Sequence, residues 1–142
     1  MILVKINGID LNIDIKGNGK PLLLIHVLGG NHNQLETIAT PLSKYFKTIT
    51  FDIRGHGQSA KPAEYTLQDH INDVLGIMDF YNIEKTYLLG VSMGSYIAQG
   101  VAIAASERIE KLILTVPKSN GLTSSVQLLF SENAEEIKGK NF

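Results

Sequence analysis

The pentapeptide Gly90-Val91-Ser92-Met93-Gly94 constrains the fold of this chain more than any other stretch. It follows the apolar, strand-like run 86–89 and precedes the small-residue segment 95–106, which is typical of a helix. At such a junction the serine adopts a strained backbone conformation, and glycines flank it because side chains there would collide with the neighbouring strand or helix. The strain holds the hydroxyl above the sheet, so the pattern predicts that Ser92 is a nucleophile. The alternative is a glycine-rich turn whose serine only caps a helix.

The segments around this motif alternate between strands and helices. Residues 2–6 and 11–15 are β-rich runs joined by Asn7-Gly8, a strong hairpin dipeptide. Leu11, Ile13 and Ile15 alternate with polar residues, which predicts that Asn12 and Asp14 lie on a wet face. Further strands are predicted at 22–26, 48–51, 86–90 and 111–116. A hairpin followed by strand–helix alternation indicates an α/β fold, with a sheet that is parallel after its first strands.

Two sequence signals mark where helices begin. Asn33 with Glu36 resembles a capping pair, and Thr66 with Asp69 forms a capping-box signature. Pro41 lies inside the first helical pattern and is expected to kink or restart that helix, because proline lacks the backbone donor.

Composition excludes several classes of function. The chain has 142 residues, 44% of them hydrophobic and 19% charged, which indicates one soluble globular domain. The net charge is −1 and the basic residues are scattered, so neither nucleic acid nor an acidic membrane is an expected partner. Cysteine is absent, and the four histidines lack metal-ligand spacing, so no metal and no cofactor are expected. The sequence shows no basic leader and no membrane-spanning apolar run, which predicts a cytoplasmic protein.

Three motifs occur in a fixed order along the chain. His26-Val27-Leu28-Gly29-Gly30 follows the third strand, Asp52-Ile53-Arg54-Gly55-His56-Gly57-Gln58-Ser59 follows the fourth, and Gly90 to Gly94 follows the fifth. Together they resemble the α/β-hydrolase superfamily, most closely small single-domain esterases, haloperoxidase-like hydrolases and carbon–carbon-bond hydrolases. The resemblance implies a serine hydrolase that acts on a small-molecule ester or thioester.

The resemblance also implies roles for individual residues. The backbone N–H groups of Leu28 and Met93 would form the oxyanion hole beside Ser92. Structural roles fall to the remaining motif residues: His26, Gly29, Gly30, Asp52, Arg54, Gly55, His56, Gly57, Ser59, Gly90 and Gly94. His32 and His70 lie at or near predicted helix starts and are expected to be solvated.

The chain departs from the family pattern in two ways. The family has eight strands with its acid and histidine after the seventh and eighth, whereas only six strands are predicted here. We therefore expect residues 1–120 to be the N-terminal portion of the hydrolase core, and 121–142 to be the start of a helical cap or a loose C-terminal helix. The triad acid and histidine would lie beyond Phe142, so little activity is expected of this chain alone. Val27 stands where relatives carry glycine, and a positive φ there would strain valine by roughly 1–2 kcal/mol.

Two other functions remain open at this stage. The chain could be a non-catalytic fragment or binding module, or a half-enzyme that another chain completes. The strand at 111–116 would lack its usual neighbour, which predicts self-association through an exposed sheet edge.

Overall fold

A six-stranded sheet organises the computed structural model, which describes residues 2–27 and 30–115. The strands are β1 Ile2–Ile6, β2 Ile9–Lys16, β3 Lys20–Ile25, β4 Phe46–Phe51, β5 Thr86–Val91 and β6 Ile109–Thr115. The helices are α1 Glu36–Leu42, α2 Leu67–Phe80 and α3 Gly94–Ala104. The strand order is β1-β2-β4-β3-β5-β6. This architecture confirms the predicted partial α/β-hydrolase fold with about six strands.

The sheet changes from antiparallel to parallel at β4. β1 pairs with β2, and β2 with β4, in antiparallel register, whereas β4, β3, β5 and β6 are mutually parallel. The hairpin between β1 and β2 turns at Asn7 and Gly8, with φ of +49° and +82°. Two successive positive φ values are what a tight two-residue hairpin needs, so the predicted turn is confirmed.

The apolar residues 22–25 of β3 contribute to two hydrophobic cores, one on each face of the sheet. Leu23 and Ile25 pack into a cluster with residues of α2 and α3, whereas Leu22 and Leu24 pack into a second cluster with residues of α1. Successive side chains of a strand point to opposite faces, so helices cover the sheet on both sides. Each of these four side chains is at most 2% exposed, and full burial of one stabilises the fold by about 1.5–3 kcal/mol.

One predicted helix start is confirmed and the other is wrong. At α2 the Thr66 hydroxyl accepts the Asp69 N–H at 3.2 Å, and the Asp69 carboxylate accepts the Thr66 N–H at 2.8 Å. Before α1 the capping residue is Asn31 rather than Asn33. Asn31 has the extended backbone of an N-cap (φ −157°, ψ 176°), and its side chain accepts the Asn33 N–H at the start of the 3-10 helix His32–Leu35.

Pro41 lies inside α1, and that helix ends one residue later, at Leu42. The expected restart is therefore absent. Pro41 has no N–H to donate to the Thr37 carbonyl, which weakens the last turn, and the helix ends at the next residue.

Within the described residues β6 lies at one edge of the sheet. Residues 116–142 fall outside the described part, and with them the domain boundary at 120 and the predicted cap segment 121–142. Self-association through the β6 edge stays a prediction. None of the described helices is long and apolar enough to cross a lipid bilayer.

Candidate active site

Ser92 lies in the turn between β5 and α3, with φ of +53°. This left-handed conformation is uncommon for a residue with a Cβ, and it confirms the strained backbone predicted from the sequence. Two neighbours hold the turn in place. The Ser92 N–H donates to the Thr115 carbonyl at 2.7 Å, and the Ser92 carbonyl accepts both the N–H (2.9 Å) and the hydroxyl (2.5 Å) of Ser95.

The glycines on either side of Ser92 are required by close backbone approach. A Cβ on Gly94 would lie 2.6 Å from the His26 carbonyl oxygen and 2.8 Å from that of Ile25. A Cβ on Gly90 would lie 2.7 Å from the Gly94 carbonyl oxygen and 2.8 Å from the Ser95 Cα. These obstacles are backbone atoms, so a larger residue would force α3 away from β3 and β5. The glycines thus set how closely Ser92 approaches the end of β3.

The backbone N–H of Met93 is available at the beginning of α3. It donates to no acceptor within residues 2–27 and 30–115. An unpaired N–H at a helix N-terminus carries partial positive charge and can receive a negative oxygen. Leu28, the other predicted donor, and Gly29 lie outside the described residues. Gly30 follows them, and its N–H donates to the Val27 carbonyl at 3.1 Å.

The strain expected at Val27 is absent. Non-glycine residues with positive φ in the described part of the chain are Asn7, Asn82 and Ser92. Val27 therefore keeps a backbone conformation that a β-branched residue tolerates. Its carbonyl accepts the Gly30 N–H, which closes the start of the loop without a left-handed residue at this position.

His26 connects the loops that follow β3 and β4. Its side chain is fully buried, with Nδ1 2.6 Å from the Val27 carbonyl and Nε2 3.0 Å from the Ile53 nitrogen. Nε2 accepts the Ile53 N–H, so Nδ1 carries the proton and donates to Val27. Burial lowers the pKa of His26, which favours this neutral tautomer. Both ring nitrogens are occupied, which is the arrangement of a structural brace.

Asp52 is the polar centre of the loop after β4. One carboxylate oxygen accepts the backbone N–H of His32 (2.8 Å) and lies 2.7 Å from the His32 Nδ1. The other accepts the Gln58 N–H (2.9 Å) and the Asn12 side-chain amide (3.1 Å). Burial acts to raise the pKa of Asp52, but these hydrogen bonds outweigh it and lower the pKa to about 2. The carboxylate is therefore ionised and holds β2, the α1 entry and its own loop together.

Glycine and serine shape the same loop around Asp52. Gly57 has φ of +52°, and a Cβ there would lie 2.3 Å from the Asp52 carboxyl group. Gly55 has φ of +86°, and a Cβ there would lie 2.4 Å from the Tyr65 hydroxyl and 2.7 Å from its ring. The buried Ser59 hydroxyl donates to the Asp52 carbonyl at 2.5 Å and accepts the Asn12 N–H at 2.9 Å. The loop can fold back over Asp52 only with these small residues.

Arg54 ties the loop to α2. Its guanidinium makes two hydrogen bonds of 2.8 Å to the two oxygens of Asp73, a bidentate pair. The Asp73 side chain is 1% exposed and that of Arg54 is 11% exposed. The hydrogen bond to Asp73 raises the pKa of Arg54, which keeps the guanidinium charged. This contact fixes where α2 begins relative to the loop.

Two histidines and one asparagine differ from their predicted surroundings. His32 was expected to be solvated, but its side chain is 11% exposed and pairs with Asp52. His70 was also expected to be solvated, but it is 7% exposed and packs edge-on against the Tyr65 ring. Asn12 is 6% exposed although the alternation of β2 placed it on a wet face, because the β4–α2 loop covers it. For His32 and Asn12 the cause is a contact with residues distant in sequence, whereas His70 is covered by the nearby ring of Tyr65.

The structure brings His26, Asp52 and Ser92, one described residue of each motif, to the same edge of the sheet, at the carboxyl ends of β3, β4 and β5. His56 stacks edge-on against His26, with ring centroids 5.6 Å apart. Asn12 and Asp73 were not predicted as members of the site; their partners are Asp52 and Arg54. Asn12 belongs to an alternating strand pattern, so its sequence neighbours gave no sign of this contact. The ring nitrogens of His26 contact Val27 and Ile53, and the Nδ1 of His32 contacts Asp52, so neither histidine is directed at Ser92.

A family model and several known proteins match this chain. A family model described as the alpha/beta hydrolase fold matches residues 20–138. The chain is 35% identical over 103 residues to 3-oxoadipate enol-lactonase 1 of Acinetobacter baylyi, a match that covers 71% of this chain and 39% of that protein. It is 33% identical over 134 residues to a proline iminopeptidase of Pestalotiopsis fici, covering 89% of this chain and 48% of that protein.

A solved structure supports the same relationship. The enol-lactonase from Burkholderia xenovorans LB400 superimposes with a TM-score of 0.75 at 32% sequence identity. That match covers 78% of this chain and 45% of the enol-lactonase chain. The chain thus spans less than half the length of each of these relatives.

Proposed function

This chain belongs to the alpha/beta hydrolase fold family, and we propose that it carries the nucleophile of an acyl-transfer reaction. In the proposed reaction Ser92 attacks the carbonyl carbon of an ester or thioester. The observation that carries the proposal is the backbone of Ser92, held at φ +53° between two glycines that admit no side chain. Strain of this kind has an energetic cost of order 1–3 kcal/mol and persists where the surroundings enforce it, which is typical of reactive positions.

The proposed chemistry has two stages. The Ser92 Oγ forms a bond to the carbonyl carbon, the bond to the leaving oxygen or sulfur breaks, and the leaving group takes up a proton. Water then attacks the acyl-serine, which releases the acid and regenerates the hydroxyl. In both stages the carbonyl oxygen becomes negative, and we assign its stabilisation to the N–H groups of Met93 and Leu28. Loss of one such donor typically costs about 3–4 kcal/mol of transition-state stabilisation.

A base must accept the proton of Ser92. The four histidines of the chain all fall within the described residues. His26 is occupied at both nitrogens, and His32 is directed toward Asp52. We therefore propose that the base comes from another polypeptide segment. In a serine protease, removal of the triad lowers turnover by roughly a millionfold, so we expect slow acylation by this chain alone.

The test supplies the missing base from solution. The chain would be incubated with 4-nitrophenyl acetate and increasing imidazole, and acetyl-serine would be located by mass spectrometry. We expect imidazole to accelerate acetylation of Ser92, because an external base can accept its proton. Ser92→Ala should abolish the modification in the peptide that contains position 92.

Ser106→Ala is the matched control, because Ser106 is exposed beyond the end of α3 and should leave acetylation of Ser92 unchanged. Equal acetylation of several exposed serines would contradict the proposal. Binding of the ester without any acyl transfer would favour the alternative function, a non-catalytic binding fragment.

A further inference from the structure

A cleft of about 490 Å³ opens beside Met93, the residue that follows Ser92. It lies between the β4–α2 loop, the beginning of α2 and the first turns of α3. His56 and Tyr65 contribute from the loop, Leu67 and His70 from α2, and Met93 and Tyr96 from the segment after Ser92. The cleft is thus continuous with the turn that carries the proposed nucleophile.

The walls of the cleft favour a neutral, aromatic occupant. None of the described residues that line it is Asp, Glu, Lys or Arg. Burial lowers the pKa of His70, so its imidazole is neutral near pH 7. The rings of Tyr65, Tyr96, His56 and His70 offer edges and faces for contact with another ring. A cavity of roughly 150 Å³ can bind benzene, so this cleft has room for a substituted aromatic ring.

Two buried polar atoms of residues that line the cleft have no hydrogen-bond partner in the described part of the chain: the Nδ1 of His70 and the hydroxyl of Tyr96. Buried polar groups are nearly always paired, so each such atom needs an explanation. A tyrosine hydroxyl can donate and accept, and a neutral imidazole nitrogen can do one or the other. A single hydroxyl or carbonyl on a bound ring has the matching capacity.

We propose that this cleft binds the non-reacting part of the acyl substrate, a neutral aromatic ring that carries a hydroxyl. The proposal rests on the proposed function, because it is the position of Met93 beside Ser92 that makes the occupant a substrate. The ring would contact the aromatic walls, and its hydroxyl would pair with Tyr96 or His70.

Binding can be measured without catalysis in the Ser92→Ala chain. The probes are methyl 4-hydroxybenzoate and methyl benzoate, which differ only in the hydroxyl, followed by NMR shifts of Met93, Tyr96 and Ile97. We expect the hydroxylated probe to bind about fivefold more tightly, the effect of one net hydrogen bond. Tyr96→Phe should remove most of that difference. Leu67→Trp should weaken both probes by about tenfold or more, because the larger ring occupies the cleft.

Each variant has a matched control. The Tyr81 hydroxyl is also buried and unpartnered, but Tyr81 does not line this cleft, so Tyr81→Phe should leave binding within twofold. Leu67 is 50% exposed and Ile103, on α3 away from the cleft, is 75% exposed, so Ile103→Trp controls for a surface tryptophan.

The proposal would be overturned if neither probe shifted the NMR signals. It would also be overturned if the control variants weakened probe binding as much as Tyr96→Phe and Leu67→Trp do. The outcome does not depend on the nucleophile. Failure here together with acetylation of Ser92 would leave the proposed function in place and remove only this binding site.

Discussion

The loop after β4 and the turn after β5 lie at the same edge of the sheet but are fixed by opposite means. The β4 loop, residues 52–60, is held by side chains. The Asp52 carboxylate accepts four hydrogen bonds from three residues, and Arg54 is paired with Asp73. The β5 turn is held by the lack of side chains, since Gly90 and Gly94 allow backbone atoms to come into contact. One region depends on charge and hydrogen bonding, and the other depends on excluded volume.

This difference suggests that the β4 loop supports the site, whereas the β5 turn carries the group proposed to react. In the β4 loop the strong polar groups are already paired, which leaves them little capacity to act on a ligand. In the β5 turn the Met93 N–H makes no backbone–backbone hydrogen bond within the described residues, which leaves it open to another acceptor. The comparison predicts that the two regions respond differently to substitution and to acid.

The largest expected effect is that of Asp52→Asn. Each carboxylate oxygen of Asp52 accepts two hydrogen bonds. In asparagine one of these oxygens becomes an NH₂ group, which cannot accept, so it would face two donors whichever way the amide is turned. We expect a loss of about 4 kcal/mol in the free energy of unfolding, measured by urea denaturation near pH 7. Asp10→Asn is the control, because Asp10 pairs with Lys5 at the surface and should cost less than about 1 kcal/mol. Similar costs for the two variants would mean that the buried hydrogen bonds contribute little.

Gly94→Ala should have the next largest effect, about 3 kcal/mol, because its Cβ would meet the backbone oxygens of Ile25 and His26. Gly100→Ala is the matched control within α3. There the Cβ would meet the flexible end of the Ile71 side chain, 2.4 Å away, which can move. Alanine also favours a helix over glycine by about 1 kcal/mol, so we expect Gly100→Ala to be close to neutral. Thermal unfolding of the two variants decides, and equal losses would show that the turn after β5 tolerates side chains.

Acid should lower the free energy of unfolding by about 2 kcal/mol through protonation of Asp52 in the β4 loop. The pKa of Asp52 falls from its ordinary 3.8 to about 2 in the folded chain. A depressed folded pKa contributes stability that is present above pH 4–5 and is lost as the pH falls toward about 2. The free energy of unfolding, measured between pH 6 and pH 2, should decline with this profile in the native chain. The decline should be smaller in Asp52→Asn, and an identical pH profile would contradict the assignment to Asp52.

Much of the fold could be predicted from the sequence because its signals are local. Strands follow from apolar runs, the hairpin from Asn7-Gly8, and the start of α2 from Thr66 and Asp69. The backbone of Ser92 also followed from its immediate neighbours, since two glycines between a strand and a helix leave few other conformations. The nucleophilic role of Ser92 and the oxyanion role of Met93 stay predictions that the acylation experiment tests.

Only the tertiary structure decided which polar groups are buried and paired. Asn12 and Asp52 are 40 positions apart, and His32 and Asp52 are 20 apart, so no local pattern could reveal these contacts. The burial of His70 was also not visible in the sequence, because it depends on how α2 packs against the loop that contains Tyr65. Periodicity, the capping box of α2 and the glycines of the β5 turn depend on adjacent residues, and the sequence alone determined them. Burial and pairing depend on chain segments that meet only when the sheet has formed, which is why the partners of Asp52 had to come from the structure.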